Sequence, residues 1–421
     1  MGPRCKSAFS IYNGHVAIAF SEFNVVPVLC SMSASVVLGF ASVAAADTAP
    51  AMLPSGYLGT HGAQIVDRHG HSVRLACMGG FGTDITGGHL DYDNGPIHGL
   101  DANIAAVQAF GFNCIRADFN DKNVGEPEVM AQFDELVAVC KRYGVKVILD
   151  NHNNEATAKN WDNAAQQTNG IWFDSGPGSD GTDGGGDKGT VTDVQFLQDW
   201  VAVAKRYAGN DAVIGFDLRN EPVAHWKDHP PVWGGGGPLD IHDMYERVGA
   251  AIQKVDPGAL IICEAIINWQ NGAYEGDLAP AKTLPVKLPV RNKVVYSLHE
   301  YAWDKVACGK ADLIPRMNKL WGFMCSENIA PVWIGEMGAA AGPADTRLIQ
   351  WQNDIIAYLN GEDGPLGGPV FHGAEQPVSA DLWRWGCQPE TEDGCMNTQG
   401  KIRTEIADYA AKQLFRPTGA R

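Results

Sequence analysis

Short apolar runs recur eight times along this chain, and no other feature restricts its fold as much. They are VRLACMGG, FNCIRADF, VKVILDNHN, VIGFDLRNE, LIICEAI, VVYSLHEYA, PVWIGEMG and DLWRWG. Each is apolar throughout rather than alternating, the pattern of parallel strands covered on both faces. Helix-like stretches lie between them. In PEVMAQFDELVAVCKRYG the residues Val129, Met130, Phe133, Leu136, Val137, Cys140 and Tyr143 form a helical stripe, opened by Pro127 and closed by Gly144. In TDVQFLQDWVAVAKRYAG, Thr192 is the expected N-cap and Gly209 the stop. Strand–helix alternation with eight strands predicts an α/β fold, a single (β/α)8 TIM barrel. A short N-terminal β-hairpin, HGAQIVDRHGHSVRLACMGG, leads into its first strand. A doubly wound open sheet is the runner-up, but no G-x-G-x-x-G follows a first strand.

At 421 residues and 45% hydrophobic, the chain can bury one large core or two ordinary ones. Its net charge is −17, from Asp+Glu 49 against Lys+Arg 32, with no basic run interleaved with aromatics. Such a surface repels phosphate backbones, so nucleic acid is a poor partner and an uncharged ligand a better one. Residues 1–46 differ in kind. VVPVLCSMSASVVLGFASVAAA ends in Ala44-Ala45-Ala46, with Arg4 and Lys6 as a weak positive flank. This reads as a cleaved signal peptide of a secreted or periplasmic protein, leaving 47–421 as one domain without stable membrane association. An uncleaved anchor is the alternative, because the run is long enough to span a bilayer. In an exported chain, Cys308/Cys325 and Cys387/Cys395 are close enough in sequence to form disulfides, while Cys77, Cys114 and Cys263, inside apolar runs, read as buried thiols. No Cys-x-x-Cys occurs, so no zinc site is expected.

The runs end in polar residues: Arg116, His152, Asn220 with Glu221, His299 with Tyr301, Glu336 and Trp385. The C-terminal ends of barrel strands form the floor of an active site. Asn220-Glu221-Pro222 is the sharpest case, an apolar strand running straight into an amide and a carboxylate and stopped by proline. Glu221 and Glu336 end strands four and seven and would converge on one cleft. Glycoside hydrolysis needs two such carboxyls, one protonated to hand a proton to the leaving oxygen and one ionised to attack or activate water. Arg116 and Tyr301 would keep a neighbouring carboxylate charged, and burial beside that anion would keep the other protonated. The plainer readings are surface ion pairs for the glutamates, core histidines, an Arg116–Asp118 pair and a packing role for Trp385. His152 with Asp150 and the acidic strand ends would also suit a metal-dependent hydrolase, a reading disfavoured because strand one lacks a His-x-His pair. DSGPGSDGTDGGGDKGT, residues 174–190, reads as a mobile solvated loop over the cleft, its aspartates lacking the spacing of a calcium loop. Trp172, Trp226, Trp233 and Trp269 are candidates for stacking sugars.

GFDLRNEP, WIGEMG, SLHEYA, LDNHN and the strand-two Arg116 resemble glycoside hydrolase family 5, the retaining cellulase-type barrels of clan A. The resemblance spans essentially the whole mature chain and is strongest to bacterial endo-β-1,4-glucanases. It implies Glu221 as general acid/base and Glu336 as nucleophile, with carboxylates about 5 Å apart and retention of configuration. It further implies that Asn220 binds the sugar 2-hydroxyl and that Arg116 and Tyr301 orient Glu336. His152 and His299 would line the reacting subsite, and Trp385 would stack on the sugar. No cofactor or metal is implied, and the expected partner is a neutral β-linked polysaccharide or oligosaccharide acted on by a monomer. Arg219, NGAYEGDL and WRWGCQPETEDGC depart from the family pattern where glucan subsites form. The alternatives are a β-mannanase or other β-glycosidase of the family and, from another class, a non-catalytic carbohydrate-binding protein.

Overall fold

The structure is a computed structural model that describes residues 53–382 except 84–89, 91–96, 155–169, 183–187, 224–229, 269–274, 302–309, 339–345 and 362–377. Each apolar run supplies one strand: β1 Ala76–Met78, β2 Cys114–Asn120, β3 Lys146–Asn153, β4 Val213–Asp217, β5 Leu260–Glu264, β6 Val294–Tyr301, β7 Val332–Gly338 and β8 Ser379–Leu382. They pair in parallel, in chain order, and close through β8 and β1, where Ala380 faces Ala76. Among the described residues the principal helices are α1 Leu100–Ala109, α2 Pro127–Tyr143, α3 Asp193–Tyr207, α4 Ile241–Val255, α5 Lys310–Met317 and α6 Thr346–Leu359. The α2 boundaries are those the sequence predicts, with Pro127 in the first turn and Gly144 left-handed at φ 67. At the start of α3 the Thr192 hydroxyl accepts the Gln195 N–H at 3.1 Å.

Strand side chains alternate between two apolar clusters. One joins Ile115, Val147, Phe216, Ile261 and Leu298 to helix residues such as Leu136, Trp200 and Ile252. The other takes the opposite face, Cys77, Cys114, Ile148, Ile214, Ile262, Val295 and Trp333, and fills the barrel interior. Leu58 and Ile65 of the N-terminal hairpin join that inner cluster. The hairpin pairs Gly59–His61 with Gln64–Val66 and returns by a bridge from Val66 to Ser72. It is tied to the start of β6, since the Thr60 N–H donates to the Asn292 carbonyl at 2.9 Å. Lys293 Nζ donates to the carbonyls of Leu58 at 2.5 Å and Gly258 at 2.7 Å.

Two expectations need correction. Cys77 and Cys114 are not thiols but a disulfide. They face each other in the β1–β2 register, with Cα atoms 4.4 Å apart, a proximity that strand pairing creates and sequence spacing hides. Cys325 is a buried free thiol. Cys308, Cys387 and Cys395 lie outside the described residues, while Cys263 is the buried thiol expected. The segment 174–190 is also not simply solvated. Asp174 is fully buried, and the N–H groups of Asp174 and Ser175 both donate to the Val191 carbonyl at 2.9 Å. Among the described residues, no helix is long and apolar enough to cross a membrane.

The disulfide links residues 37 apart in sequence. Replacing both cysteines by alanine should lower stability by about 3–4 kcal/mol on loop-entropy grounds. Urea denaturation of the C77A/C114A double variant beside the wild type measures this as a lower midpoint, with a steeper slope because the unfolded chain without its cross-link exposes more surface.

Candidate active site

Two irregularities in the barrel aim side chains at its C-terminal end. Between β6 and β7 the register slips by one residue, so that Leu298 faces Ile334 but His299 faces Glu336. Gly335 is the extra residue of this bulge, the device by which strands re-aim a side chain beside a site. Only glycine fits there, because a Cβ would lie 2.6 Å from Ser297 Oγ and 3.1 Å from His299 Nε2. Between β2 and β3, Phe119 faces Asn151 and Asn120 faces Asn153, which leaves His152 as the bulged residue.

After β4 the chain leaves the sheet under close control. The N–H of Leu218 donates to the Ile262 carbonyl at 3.1 Å, and that of Asn220 to the Asn151 carbonyl at 2.9 Å. Glu221 then turns left-handed at φ 46, a conformation that costs a non-glycine residue on the order of 1 kcal/mol. Its N–H donates to Glu264 Oε2 at 3.0 Å, and the Pro222 carbonyl accepts the Ile267 N–H at 2.7 Å. An apolar strand thus delivers a carboxyl to a fixed place.

Glu221, His299 and Glu336 meet there, each presenting a ligand-capable atom within 4.8 Å of the others. His299 Nδ1 stands 2.8 Å from Glu221 Oε1 and 3.5 Å from Glu336 Oε2. Glu336 Oε1 receives Arg116 Nη1 at 2.6 Å, and its Oε2 accepts the Tyr301 hydroxyl. Arg116 Nη2 also donates to Asn220 Oδ1 at 2.9 Å. Asn220 Nδ2 lies 3.3 Å from His152 Nε2, whose Nδ1 is 2.7 Å from Asp150 Oδ2. One tautomer of His152 serves both contacts, with the proton on Nδ1 and the lone pair on Nε2.

Beneath these groups lies a layer of buried carboxyls. Asp118, Asp150 and Asp217 stand level with one another on β2, β3 and β4, and Glu264 and Asp381 are buried on β5 and β8. Fully buried Arg116 serves this layer as well, 3.0 Å from Asp217 Oδ2, 2.9 Å from Asp150 Oδ1 and 3.8 Å from Asp118 Oδ1. Burial works against its charge, but Asp150, Asp217, Glu336 and Asp118 together hold the guanidinium well above its ordinary range. Arg116 cannot by itself balance so many carboxylates, although Arg219 adds positive charge near Asp150. Burial pushes Asp150 up to about 6 and Asp217, with Asp150 beside it, up to about 7. Burial likewise lifts Glu264 and Asp381. Burial, with Glu336 adjacent, raises Glu221 well above the usual carboxylate range. Burial, aided by Arg116 and His152, keeps His299 neutral. The result is a pair of close carboxyls in unlike surroundings, one that retains a proton and one whose two oxygens accept from Arg116 and Tyr301. Such a pair can protonate one atom while its neighbour attacks another.

Arg116, His152, Asn220, Glu221, His299, Tyr301 and Glu336 are therefore brought together; Trp385 lies outside the described residues. Arg116 sits at the third residue of β2 rather than at its end. Trp172 is buried, its indole N–H donating to Asp193 Oδ1 at 2.6 Å, so it is no sugar platform. Trp226 and Trp269 lie outside the described residues. Arg219 is fully buried and donates to Asn151 Oδ1 at 2.6 Å and Asn154 Oδ1 at 3.0 Å. Asp217, Asp381 and Glu264 escaped the sequence reading, although GFDLR, SADLW and LIICEAI each carry an acid inside an apolar run. Asp118, Asp150 and His152 form a second set with ligand-capable atoms within 4.8 Å of each other. Arg116, in contact with both sets, supplies the positive charge a metal ion would otherwise bring.

Residues 67–364 match the model of the cellulase family, glycosyl hydrolase family 5. An endoglucanase from Paenibacillus polymyxa is 27% identical over 362 residues, which cover 77% of this chain and 82% of that protein. The major extracellular endoglucanase of Xanthomonas campestris pv. campestris is 26% identical over 352 residues, covering 76% of this chain and 65% of that protein. Among solved structures, an endocellulase from Pyrococcus horikoshii in complex with cellotetraose superposes with a TM-score of 0.68 at 20% identity, covering 86% of this chain and 99% of that one. The catalytic domain of the Xanthomonas enzyme superposes with a TM-score of 0.64 at 22% identity, covering 85% and 99%.

A carboxyl whose pKa is higher folded than unfolded binds more protons when folded, so its favourable contribution is full at low pH and lost as pH rises. For Asp217 the window runs from the ordinary aspartate value of 3.8 to about 7. Asp217→Asn keeps an acceptor for Arg116 and removes the titration. Thermal melts from pH 4 to 8 should show a smaller decline in Tm across that window for this variant than for the wild type.

Proposed function

The chain belongs to glycosyl hydrolase family 5, and on that premise we propose that this glycoside hydrolase is an endo-β-1,4-glucanase acting with retention. The observation that carries the reading is the separation and unlike environment of its two glutamates. Retaining enzymes hold their carboxyl groups about 5–5.5 Å apart and inverting ones about 6.5–9.5 Å. Oxygens of Glu221 and Glu336 within 4.8 Å of each other fit the shorter spacing. Glu221, protonated in its buried setting, gives its proton to the leaving glycosidic oxygen. Glu336, held by Arg116 and Tyr301, attacks the anomeric carbon to form a glycosyl-enzyme. Water then hydrolyses that intermediate, giving a proton back to Glu221. Asn220, fixed by Arg116 and close to His152, binds the sugar 2-hydroxyl, a contact that strengthens as the ring flattens. His152, His299 and Tyr301 line the reacting subsite, and Trp385 offers the sugar a flat face.

Glucan as substrate is supported by the endoglucanases among the relatives and by the cellotetraose held by a structural neighbour. Export, with residues 1–46 as a cleaved leader and 47–421 as the working domain, is supported by the Cys77–Cys114 disulfide, which belongs in an oxidising compartment. The extracellular relative in Xanthomonas agrees with this.

Glu336→Ala should reduce turnover of carboxymethylcellulose to background, and azide should restore a reaction whose product has the opposite anomeric configuration. A fully active variant would end the assignment. Glu221→Gln should lose about 10²–10⁴-fold in rate. Product analysis on carboxymethylcellulose, mannan, xyloglucan and aryl glycosides tests the substrate, and a preference for mannan would move the chain to the mannanases.

A further inference from the structure

Glu264 ends β5 below the cleft and touches none of the groups expected to meet substrate carbon. It is fully buried, and both its oxygens face the proton donor's surroundings. Oε2 accepts the N–H of Glu221 at 3.0 Å, which holds that residue in its left-handed turn. Oε1 lies 3.5 Å from Nε2 of His299, whose Nδ1 is 2.8 Å from Glu221 Oε1. These contacts run from Glu264 through His299 to the Glu221 carboxyl and back through the Glu221 backbone, the 3.5 Å approach of Glu264 to His299 being the long one, at which no hydrogen bond is formed. The missing side chain at Gly335 makes room for the His299 Nε2 edge.

These contacts have one arrangement of protons in which each of them faces a donor to an acceptor and His299 is neutral while Glu221 keeps its acid proton for the cleft. Glu264 Oε1–H faces the lone pair of Nε2, and Nδ1–H donates to Glu221 Oε1. Glu264 Oε2 receives the Glu221 N–H. The Glu221 proton then sits on Oε2, the oxygen not engaged by the histidine. In the opposite tautomer Nδ1 carries the lone pair and draws the Glu221 proton onto Oε1, away from a substrate.

Resting on the reading of Glu221 as acid/base, we propose that Glu264 is a positioning residue, protonated in the resting enzyme, that selects the His299 tautomer and so assigns the catalytic proton to Glu221 Oε2. The surroundings of Glu264 suit the neutral form. Asp217 and Glu221 add negative charge from the β4 side, Arg116 on β2 is the counter-charge, and burial is the largest influence of all. From α4 the Tyr245 hydroxyl donates to the Glu264 backbone carbonyl at 2.8 Å and leaves the carboxyl unopposed. From β6, Ser297 pairs with Glu264 in register and His299 approaches its carboxyl.

Four measurements test this. Glu264→Leu should lower kcat/KM at least about tenfold on cello-oligosaccharides, whose leaving oxygen needs a proton. On 2,4-dinitrophenyl β-cellobioside, which leaves unaided, the same variant should stay within about threefold of wild type. Glu264→Gln, which presents an N–H to His299 and an oxygen to Glu221, should rescue most of the loss. Equal losses on both substrates, or Gln no better than Leu, would overturn the proposal. Difference infrared spectroscopy of wild type against Glu264→Gln at pH 6 needs neither turnover nor the Leu variant. Loss of a protonated-carboxyl band supports the proposal, and an unchanged band overturns it. A wild-type chain inert on every β-glycoside would fail the hydrolase reading, and the infrared comparison would still decide the proton on Glu264.

Discussion

One guanidinium organises the interior of this barrel. Arg116 spans Asp217, Asp150, Asn220 and Glu336, with Asp118 just beyond. Its planar fork carries five N–H donors in a fixed geometry, where a lysine ammonium carries three on a flexible stem. Taking so many charges out of water is unfavourable by itself, and removing the Arg116 guanidinium would leave buried carboxylates uncompensated at a cost of about 3–5 kcal/mol. The arrangement is therefore held by mutual dependence. Glu336 is oriented because Arg116 is fixed, and Arg116 is fixed because aspartates on β3 and β4 grip it from below.

Barrel interiors are usually filled by branched apolar side chains. Here the filling changes with height. The hairpin end holds Ile148, Ile214, Ile262, Val295 and Trp333, the middle holds aspartates around Arg116, and the open end holds His152, His299, Tyr301 and the two glutamates. The apolar end supplies cohesion and the polar end chemistry, and the layer between lets one pass into the other without an isolated charge. The bulges at His152 and Gly335 fall where the polar end begins. Stability is conceded locally at the left-handed Glu221, and its neighbours on β5 hold it in place.

Much of this was legible in the sequence, for identifiable reasons. Eight unbroken apolar runs encode parallel strands because both faces of each are buried, so strand number and barrel closure could be read directly. Glu221, Glu336 and their partners stood out because polar groups at the ends of such runs have no packing reason to be there. Asp217 and Glu264 were missed because they lie within the runs, where a single acid looks like noise until the assembled sheet sets it beside others. The Cys77–Cys114 bond was missed for the same reason, since two residues far apart in sequence become cross-strand neighbours only when the sheet is assembled. Trp172 misled in the other direction, because nothing local distinguishes a buried indole from an exposed one.

Both cysteines of that bond are sealed within the innermost apolar cluster, with no surface open to solvent. An oxidant can reach the two sulfurs only before the staves of the barrel draw together. The cross-link therefore records an order of events. Thiols that meet while the first two strands are still open become part of a stapled seam, whereas a chain that shuts early locks its reduced pair inside, beyond repair until it opens again.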